Sequence, residues 1–195
     1  MRYHKESFER YYQEMSESLR GYTLPRWEDF PDIEIYMDQM IVLINRYLTF
    51  LGSEKAVTAS MINNYVKARL MPPPVRKKYG RAHLAYLTVI CTLKDALGMA
   101  VIEKMFPPGM EGDLLRDRYN AFVENQVKAY HFVADNIDSV ALPLLQEEAR
   151  ISDRIHDLVM QVGVSANLAK NLAERFAAQQ EEESAEEPGQ VTSAG

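Results

Sequence analysis

Residues 58–74 of this chain read TASMINNYVKARLMPPP and contain the clearest start and stop signals for a helix. Thr58 is a suitable N-cap, because its hydroxyl can accept a hydrogen bond from the first turn of a helix. The residues that follow predict a short helix from about Ala59 to Ala68. Pro72-Pro73-Pro74 prevents that helix from continuing. The stretch therefore predicts a short helix with a sharp end.

The predicted helix divides into two faces. One face carries polar residues at i, i+3, i+4 and i+7, namely Ser60, Asn63, Asn64 and Lys67. The same spacing places a second set together, namely Ile62, Tyr65, Val66 and Arg69. A helix in the major groove of DNA needs this division, with one side on its scaffold and the other towards bases and phosphates. An ordinary amphipathic helix with a solvated polar face has the same pattern.

The charge around this helix is one-signed. The 40 residues between Glu54 and Asp95 hold eight Lys or Arg and no Asp or Glu. The rest of the chain holds the other 14 basic residues and all 28 acidic ones, within an overall net charge of −6. We call residues 55–94 the basic island. An island of this kind in an acidic protein indicates a surface that meets a polyanion.

A basic run follows the prolines. Val75 to Gly80 predicts a small hairpin or wing, and the run supplies cations that can neutralise phosphates, namely Arg76, Lys77, Lys78 and Arg81. We expect Tyr79 to stack or to donate to a phosphate oxygen. A solvated basic loop is the alternative interpretation.

These residues resemble the head of MerR-like regulators. Met61 to Pro73 is similar to the recognition-helix segment of that family, and Tyr79 and Leu84 are similar to the close of its wing and the helix after it. The resemblance implies a winged helix-turn-helix in which Tyr36 to Leu51 forms the first helix. It also implies that the polar face, Arg69 and the basic run contact DNA.

A more specific resemblance covers Leu24 to about Phe106. Leu24-Pro25-Arg26-Trp27, Pro31-Asp32, Tyr36-Met37-Asp38-Gln39 and Met61 to Lys67 follow the pattern of an uncharacterised bacterial family. That family is known only as domain of unknown function eighteen thirty-six, so this resemblance implies no activity.

Hydrophobic periodicity predicts helices along the rest of the chain. A first helix ends at Gly21, Asp32 caps a second that ends at Gly52-Ser53, and another runs from about Ala82 to Leu97. Pro107-Pro108-Gly109 marks the clearest boundary. Beyond it we expect helices over 114–137 and 141–162, with Pro143 near a helix start and Gly163 as a break. The fold class is all-α with one small β wing, and the predicted divisions are 1–23 (helical extension), 24–106 (winged head), 107–180 (helical C-terminal domain) and 181–195 (disordered acidic tail).

The C-terminal helices suggest a second role. Ile151, Ile155, Leu158 and Val162 form one stripe that would close a homodimer, or would fold back on the chain itself. The one cysteine, Cys91, excludes an intramolecular disulfide and fits a reducing compartment. No signal peptide or membrane span is evident, so we expect a cytoplasmic protein.

An enzyme is not expected. The chain shows no glycine-rich phosphate loop, no nucleophile elbow and no histidine pair at metal spacing, so we expect no catalytic residues, cofactor or metal. The leading hypothesis is a bacterial transcriptional regulator that binds double-stranded DNA as a homodimer. The alternative is an adaptor whose basic island docks an acidic protein partner. The sequence identifies no small-molecule effector.

Overall fold

The computed structural model describes residues 4–49, 56–144 and 151–185. Within these residues the chain is mostly helical with one small sheet, which confirms the predicted class. The helices are α1 Lys5–Gly21, α2 Met37–Tyr47, α3 Ala59–Lys67, α4 Arg81–Leu93, α5 Met99–Met105, α6 Gly112–Leu144 and α7 Ile151–Ala185. The strands are β1 Ile35–Tyr36 and β2 Lys78–Tyr79.

The sheet joins two distant parts of the sequence. β1 and β2 are antiparallel, with Ile35 opposite Tyr79 and Tyr36 opposite Lys78. The predicted wing therefore pairs with the residues just before α2, as well as with itself through the bridge between Val75 and Lys78. This pairing holds the turn after the prolines against the start of α2.

The start of α2 differs from the prediction. Tyr36, not Asp32, is the N-cap, and its backbone N–H donates to Gln39 Oε1 at 2.9 Å. Asp32 instead lies 3.4 Å from Arg81 NH1. The reason is that Ile35 and Tyr36 are drawn into the sheet, so the helix begins after them. The helix ends at Tyr47, and the predicted stop at Gly52-Ser53 lies outside the described residues.

Helix α4 is the centre of the core. The sequence predicts one apolar face, yet every residue from His83 to Ile90 is buried. The reason is tertiary, because α2, α5, α6 and β2 all pack around α4. The predicted continuation to Leu97 is also wrong, since the helix ends at Leu93.

The core crosses the predicted boundary at Pro107-Pro108-Gly109. Leu115, Tyr119 and Val123 of α6 belong to the same buried cluster as α4. Residues 22–34, which we call the connector, join α1 to β1 and are hydrogen-bonded to three side chains of α6. The Tyr119 hydroxyl donates to the Pro25 carbonyl at 2.8 Å. Asn120 accepts from Trp27 N–H, and Gln126 accepts from Leu24 N–H. The first half of α6 therefore packs with the head.

The end of the chain is more continuous than predicted. Pro143 lies in the last turn of α6, not near a helix start. Gly163 lies inside α7, so the predicted break at this residue is wrong. One glycine costs only about 1 kcal/mol in a helix, which a 35-residue helix tolerates. The helix runs on through Ala185 into the predicted tail, and residues 186–195 lie outside the described part.

Candidate nucleic-acid interface

Helix α3 presents the polar face that the sequence predicts. Thr58 caps the helix, with its hydroxyl accepting from Met61 N–H at 3.3 Å. Ile62 is fully buried in the core, whereas four polar side chains are exposed, namely Ser60, Asn63, Asn64 and Lys67. The helix is therefore fixed on one side and open to a ligand on the other.

Two hydrogen bonds fix the backbone just before the start of α3. The side-chain amide of Asn45 on α2 makes both possible hydrogen bonds to the backbone of Val57: Oδ1 accepts from Val57 N–H at 2.7 Å, and Nδ2 donates to Val57 O at 3.2 Å. Val57 itself is buried and directly precedes the Thr58 cap. Sequence reasoning missed Asn45, because an asparagine within a helix gives no signal of a partner 12 residues away.

The exit from α3 places Arg69 differently from the prediction. Arg69 is exposed and does not share the packing face of Ile62. It has a φ of 58°, in the left-handed region. Its N–H donates to Val66 O, and Leu70 N–H donates to Tyr65 O at 2.9 Å. This is a Schellman ending, with arginine at the position that usually holds glycine.

The basic turn follows the prolines. Val75 and Lys78 exchange two backbone hydrogen bonds, at 3.1 and 2.9 Å. The two central residues, Arg76 and Lys77, have φ values of 49° and 65°. Positive φ at both positions defines a type I′ turn, for which Asn-Gly is the favoured pair. Both side chains are exposed.

The strained residues share one property. Among the described residues, Arg69, Arg76 and Lys77 are the non-glycine residues with positive φ, and all three are cations of the basic island. Each costs about 1 kcal/mol relative to glycine at the same position. Residues held in such conformations tend to cluster at functional sites. Here all three strained residues present an exposed positive charge, and Arg69 follows directly after the end of α3.

Other predicted site residues have partners within the chain. Arg81 donates through Nε to the Phe30 carbonyl at 3.1 Å and pairs with Asp32, so it fastens the connector. Lys78 is half-buried, with its Nζ 5.8 Å from the centre of the Tyr36 ring. Tyr79 is buried in the core and meets His83 edge-on, so its ring is not placed to stack on a ligand as predicted.

His83 contacts the backbone on both sides of the basic turn. Its Nδ1 accepts from Gly80 N–H at 3.0 Å, and its Nε2 lies 3.1 Å from the Pro73 carbonyl oxygen. The imidazole thereby caps α4 and holds the proline segment that leads into the turn. The sequence shows four scattered histidines and gives no sign that this one is structural.

An open groove runs between α3 and the turn. It has a volume of about 820 Å³ and is lined by Tyr36, Met37, Asp38, Ile41, Ala59, Asn63, Pro74, Lys77 and Tyr79. Asn63 and Lys77 therefore lie on the same groove, which brings one polar residue of α3 together with one strained cation. The charged residues of this lining are Lys77 and Asp38, and most of the others are apolar.

The described residues contain no group of three or more His, Cys, Asp or Glu arranged to hold a metal ion. Cys91 is half-buried on α4, and burial raises the pKa of its thiol to about 11. Since the thiolate is the reactive form, this cysteine is unreactive at neutral pH. In the same part of the chain, no helix has the length and apolar character needed to cross a bilayer.

Comparison with known proteins identifies one family. No curated protein and no solved structure matches the chain. The sequence profile of the family described as "Domain of unknown function (DUF1836)" matches residues 25–131, from the connector through α6 as far as His131. That span covers α2, α3, the basic turn and the first half of α6, which pack as one core. Because the match covers more than half of the chain, the protein belongs to the DUF1836 family.

Proposed function

We propose that this protein is a bacterial transcriptional regulator with a MerR-like winged helix-turn-helix head that binds double-stranded DNA. Helix α3 would enter the major groove, and the basic turn would contact the phosphate backbone. Two copies would bind two half-sites as a homodimer. The role is binding rather than catalysis, and it places the chain in the cytoplasm with the DNA.

One observation carries the proposal. The three strained non-glycine residues of the described chain are all exposed cations, and one of them, Lys77, lines the same groove as Asn63 of the polar face of α3. A type I′ turn of Asn-Gly would be more stable and would form the same hairpin. Arg76 and Lys77 make the turn less stable than Asn-Gly would, but they place two positive charges at fixed positions. A contact with phosphate would account for this choice of residues.

The proposed contacts separate into two kinds. Arg69, Arg76 and Lys77 would neutralise phosphates and so raise affinity for any duplex. Asn63, Asn64 and Ser60 would contact base edges, because an amide both donates and accepts and is suited to adenine. Lys67 lies at the end of the polar face and would contact a phosphate. Lys78 and Arg81 have partners within the chain, so they would stabilise the fold more than they would contact DNA.

The test is fluorescence anisotropy of a labelled duplex from the region upstream of the gene, beside a scrambled duplex. Measurements at ~50 and ~200 mM salt should give a log–log slope of roughly −3 to −5 for three to five phosphate contacts. The double variant Arg76→Asn/Lys77→Gly removes two cations and puts in their place Asn-Gly, the residue pair that a type I′ turn prefers. We expect weaker binding to both duplexes and a slope smaller in magnitude by about 2.

A charge-matched control separates local contact from net charge. Arg118→Gln/Lys128→Gln removes two exposed cations from α6, outside the basic island, with residues that suit a helix. This variant should bind DNA like the unsubstituted protein. Equal losses in the two double variants would mean that only total charge matters. No binding of the unsubstituted protein at ~50 mM salt would reject the proposal.

The groove supports a second candidate, an adaptor for an acidic protein partner. Its lining is largely apolar, with Met37, Ile41 and Pro74 beside Lys77. Phosphate contacts need no apolar groove, whereas a peptide with an acidic residue next to an apolar one would use both. This function predicts no DNA binding and a loss of partner binding on Ile41→Asp.

A further inference from the structure

Tyr36 is exposed at the groove between α3 and the basic turn. Its side chain is 54% exposed, and it lines the groove together with Asn63 of α3 and Lys77 of the turn. Nothing in the sequence places Tyr36 beside these two residues, because α2 separates it from α3 along the chain. The groove therefore brings together a phenol, an amide and an ammonium group from three elements of the fold.

The hydroxyl of Tyr36 differs from those of the tyrosines that support the fold. Four tyrosine hydroxyls donate to groups within the chain, namely Tyr12 to Asp138, Tyr22 to the Tyr47 carbonyl, Tyr86 to the Pro107 carbonyl and Tyr119 to the Pro25 carbonyl. Among the described residues, none accepts a hydrogen bond from the Tyr36 hydroxyl. This donor is therefore open to a ligand in the groove.

The ring of Tyr36 has a fixed place beside the turn. In the sheet Tyr36 lies directly opposite Lys78, which adjoins Lys77. The Nζ of Lys78 lies 5.8 Å from the centre of the ring, and the Tyr36 N–H donates to Gln39 Oε1 at 2.9 Å. Because the backbone and the side chain are both constrained, a contact with the hydroxyl costs little further ordering.

In the proposed function, a strand of the duplex passes beside α3. A helix in the major groove, which is ~12 Å wide, has a sugar–phosphate strand on each side. The basic turn would contact phosphates next to the helix, so the groove between α3 and the turn lies where one of these strands would run. Tyrosine hydroxyls are among the side-chain donors that contact phosphate oxygens.

The charges around the groove favour an anion, with one exception. Lys77 lines the groove, and Lys78 lies against the Tyr36 ring. Asp38, the other charged residue of the lining, is exposed and would repel a phosphate. Asp38 therefore supplies an internal check, because removal of its charge should strengthen the binding of a phosphate strand.

We propose that one sugar–phosphate strand of the duplex lies in this groove and that the Tyr36 hydroxyl donates a hydrogen bond to one of its phosphates. The inference rests on the proposed function, and it adds an uncharged phosphate contact to the cationic ones. An uncharged donor displaces no counterion, so it raises the affinity without changing the salt dependence.

The test is Tyr36→Phe, which removes the hydroxyl and keeps the ring beside Lys78. Anisotropy titrations at ~50 and ~200 mM salt should show a Kd raised about fivefold or more for both the upstream and the scrambled duplex. The log–log salt slope should stay that of the unsubstituted protein, whereas Arg76→Asn/Lys77→Gly should reduce it. The matched control is Tyr11→Phe, which should bind normally, because Tyr11 is 63% exposed on α1 and does not line the groove.

Asp38→Asn tests the same contact with the opposite sign. It removes the carboxylate from the groove, and it should lower the Kd for both duplexes about two- to fivefold at ~50 mM salt. Asp157→Asn is the control for net charge, because it removes the same charge from an exposed position of α7. A gain of binding cannot arise from unfolding, and urea midpoints check that Tyr36→Phe keeps its fold.

Three results would overturn the contact while the unsubstituted protein binds DNA. One is equal affinity of Tyr36→Phe and Tyr11→Phe. Another is a loss in Tyr36→Phe that is confined to the upstream duplex, which would place the hydroxyl on a base edge. The third is binding by Asp38→Asn that is no tighter than that of Asp157→Asn. If the unsubstituted protein binds neither duplex, the proposed function fails and this contact fails with it, so the two failures are distinguishable.

Discussion

The side chain of Asn45 on α2 holds the backbone of Val57 by two hydrogen bonds, at 2.7 and 3.2 Å. Val57 is buried one residue before the cap of α3. The pair therefore fixes the position of the exposed polar helix relative to the helix before it.

Replacement of Asn45 by Ala should lower the free energy of unfolding by about 1–3 kcal/mol, because it leaves two buried backbone groups unpaired. Urea denaturation followed by circular dichroism measures the change. Asn45→Asp keeps the acceptor for Val57 N–H, but at neutral pH it sets a carboxylate oxygen against Val57 O, so its loss of stability should shrink as the pH falls and the carboxyl gains a proton to donate. A change below ~0.5 kcal/mol for the alanine variant would show that water replaces the side chain.

Arg69→Gly should stabilise the protein, by roughly 0.5–1 kcal/mol, because glycine adopts the left-handed conformation without strain. Lys67→Gly is the matched control: it removes the same charge two residues earlier, inside the helix, and should destabilise by about 1 kcal/mol. Urea midpoints for the two variants should move in opposite directions. If both fell, strain at Arg69 would not be the dominant effect.

Asn63→Ala should alter specificity rather than general affinity, if α3 contacts bases. Alanine suits a helix better than asparagine, so the fold should be retained. We expect discrimination between the native duplex and a single-base variant to fall by about 1–3 kcal/mol, with little change in binding to a scrambled duplex. Anisotropy titrations with a panel of single-base variants measure this. A uniform loss over the whole panel would assign Asn63 to the phosphate backbone.

The contact between α1 and α6 should depend on pH. Asp138 accepts hydrogen bonds from Tyr12, Ser16 and Arg20, and the Tyr12 hydroxyl is the largest cause that lowers the pKa of this carboxyl. A carboxyl whose pKa is lower in the folded state adds stability above its unfolded pKa, near 4, and loses it as the pH falls through the folded value.

Asp138→Asn cannot titrate, so the urea midpoint of the unsubstituted protein should exceed that of the variant at neutral pH. The difference should shrink as the pH falls below about 4. Tyr12→Phe should bring the pKa of Asp138 closer to its ordinary value, which a carbon-detected NMR titration of the carboxyl resolves. A difference that stays constant with pH would mean that the contact acts through packing alone.

The helical class, the short helix after Thr58 and its division into a buried and an exposed face could all be predicted from the order of residues. These follow from local causes: the cap, the spacing of apolar residues and the proline stop act within one or two turns. The charge asymmetry likewise needs only the order of residues, so the sequence alone defines the basic island.

Which residues of the basic island are exposed cations and which support the fold depends on contacts between distant segments. Arg81 and Tyr79 belong to the same basic run as Arg76, yet Arg81 is tied to Asp32 and Tyr79 lies in the core, because β2 pairs with the distant strand β1. The positive φ angles of Arg76 and Lys77 also arise from the closed hairpin, since neither residue favours that conformation. Contacts between segments far apart in the sequence determine these roles, and local sequence patterns cannot predict such contacts.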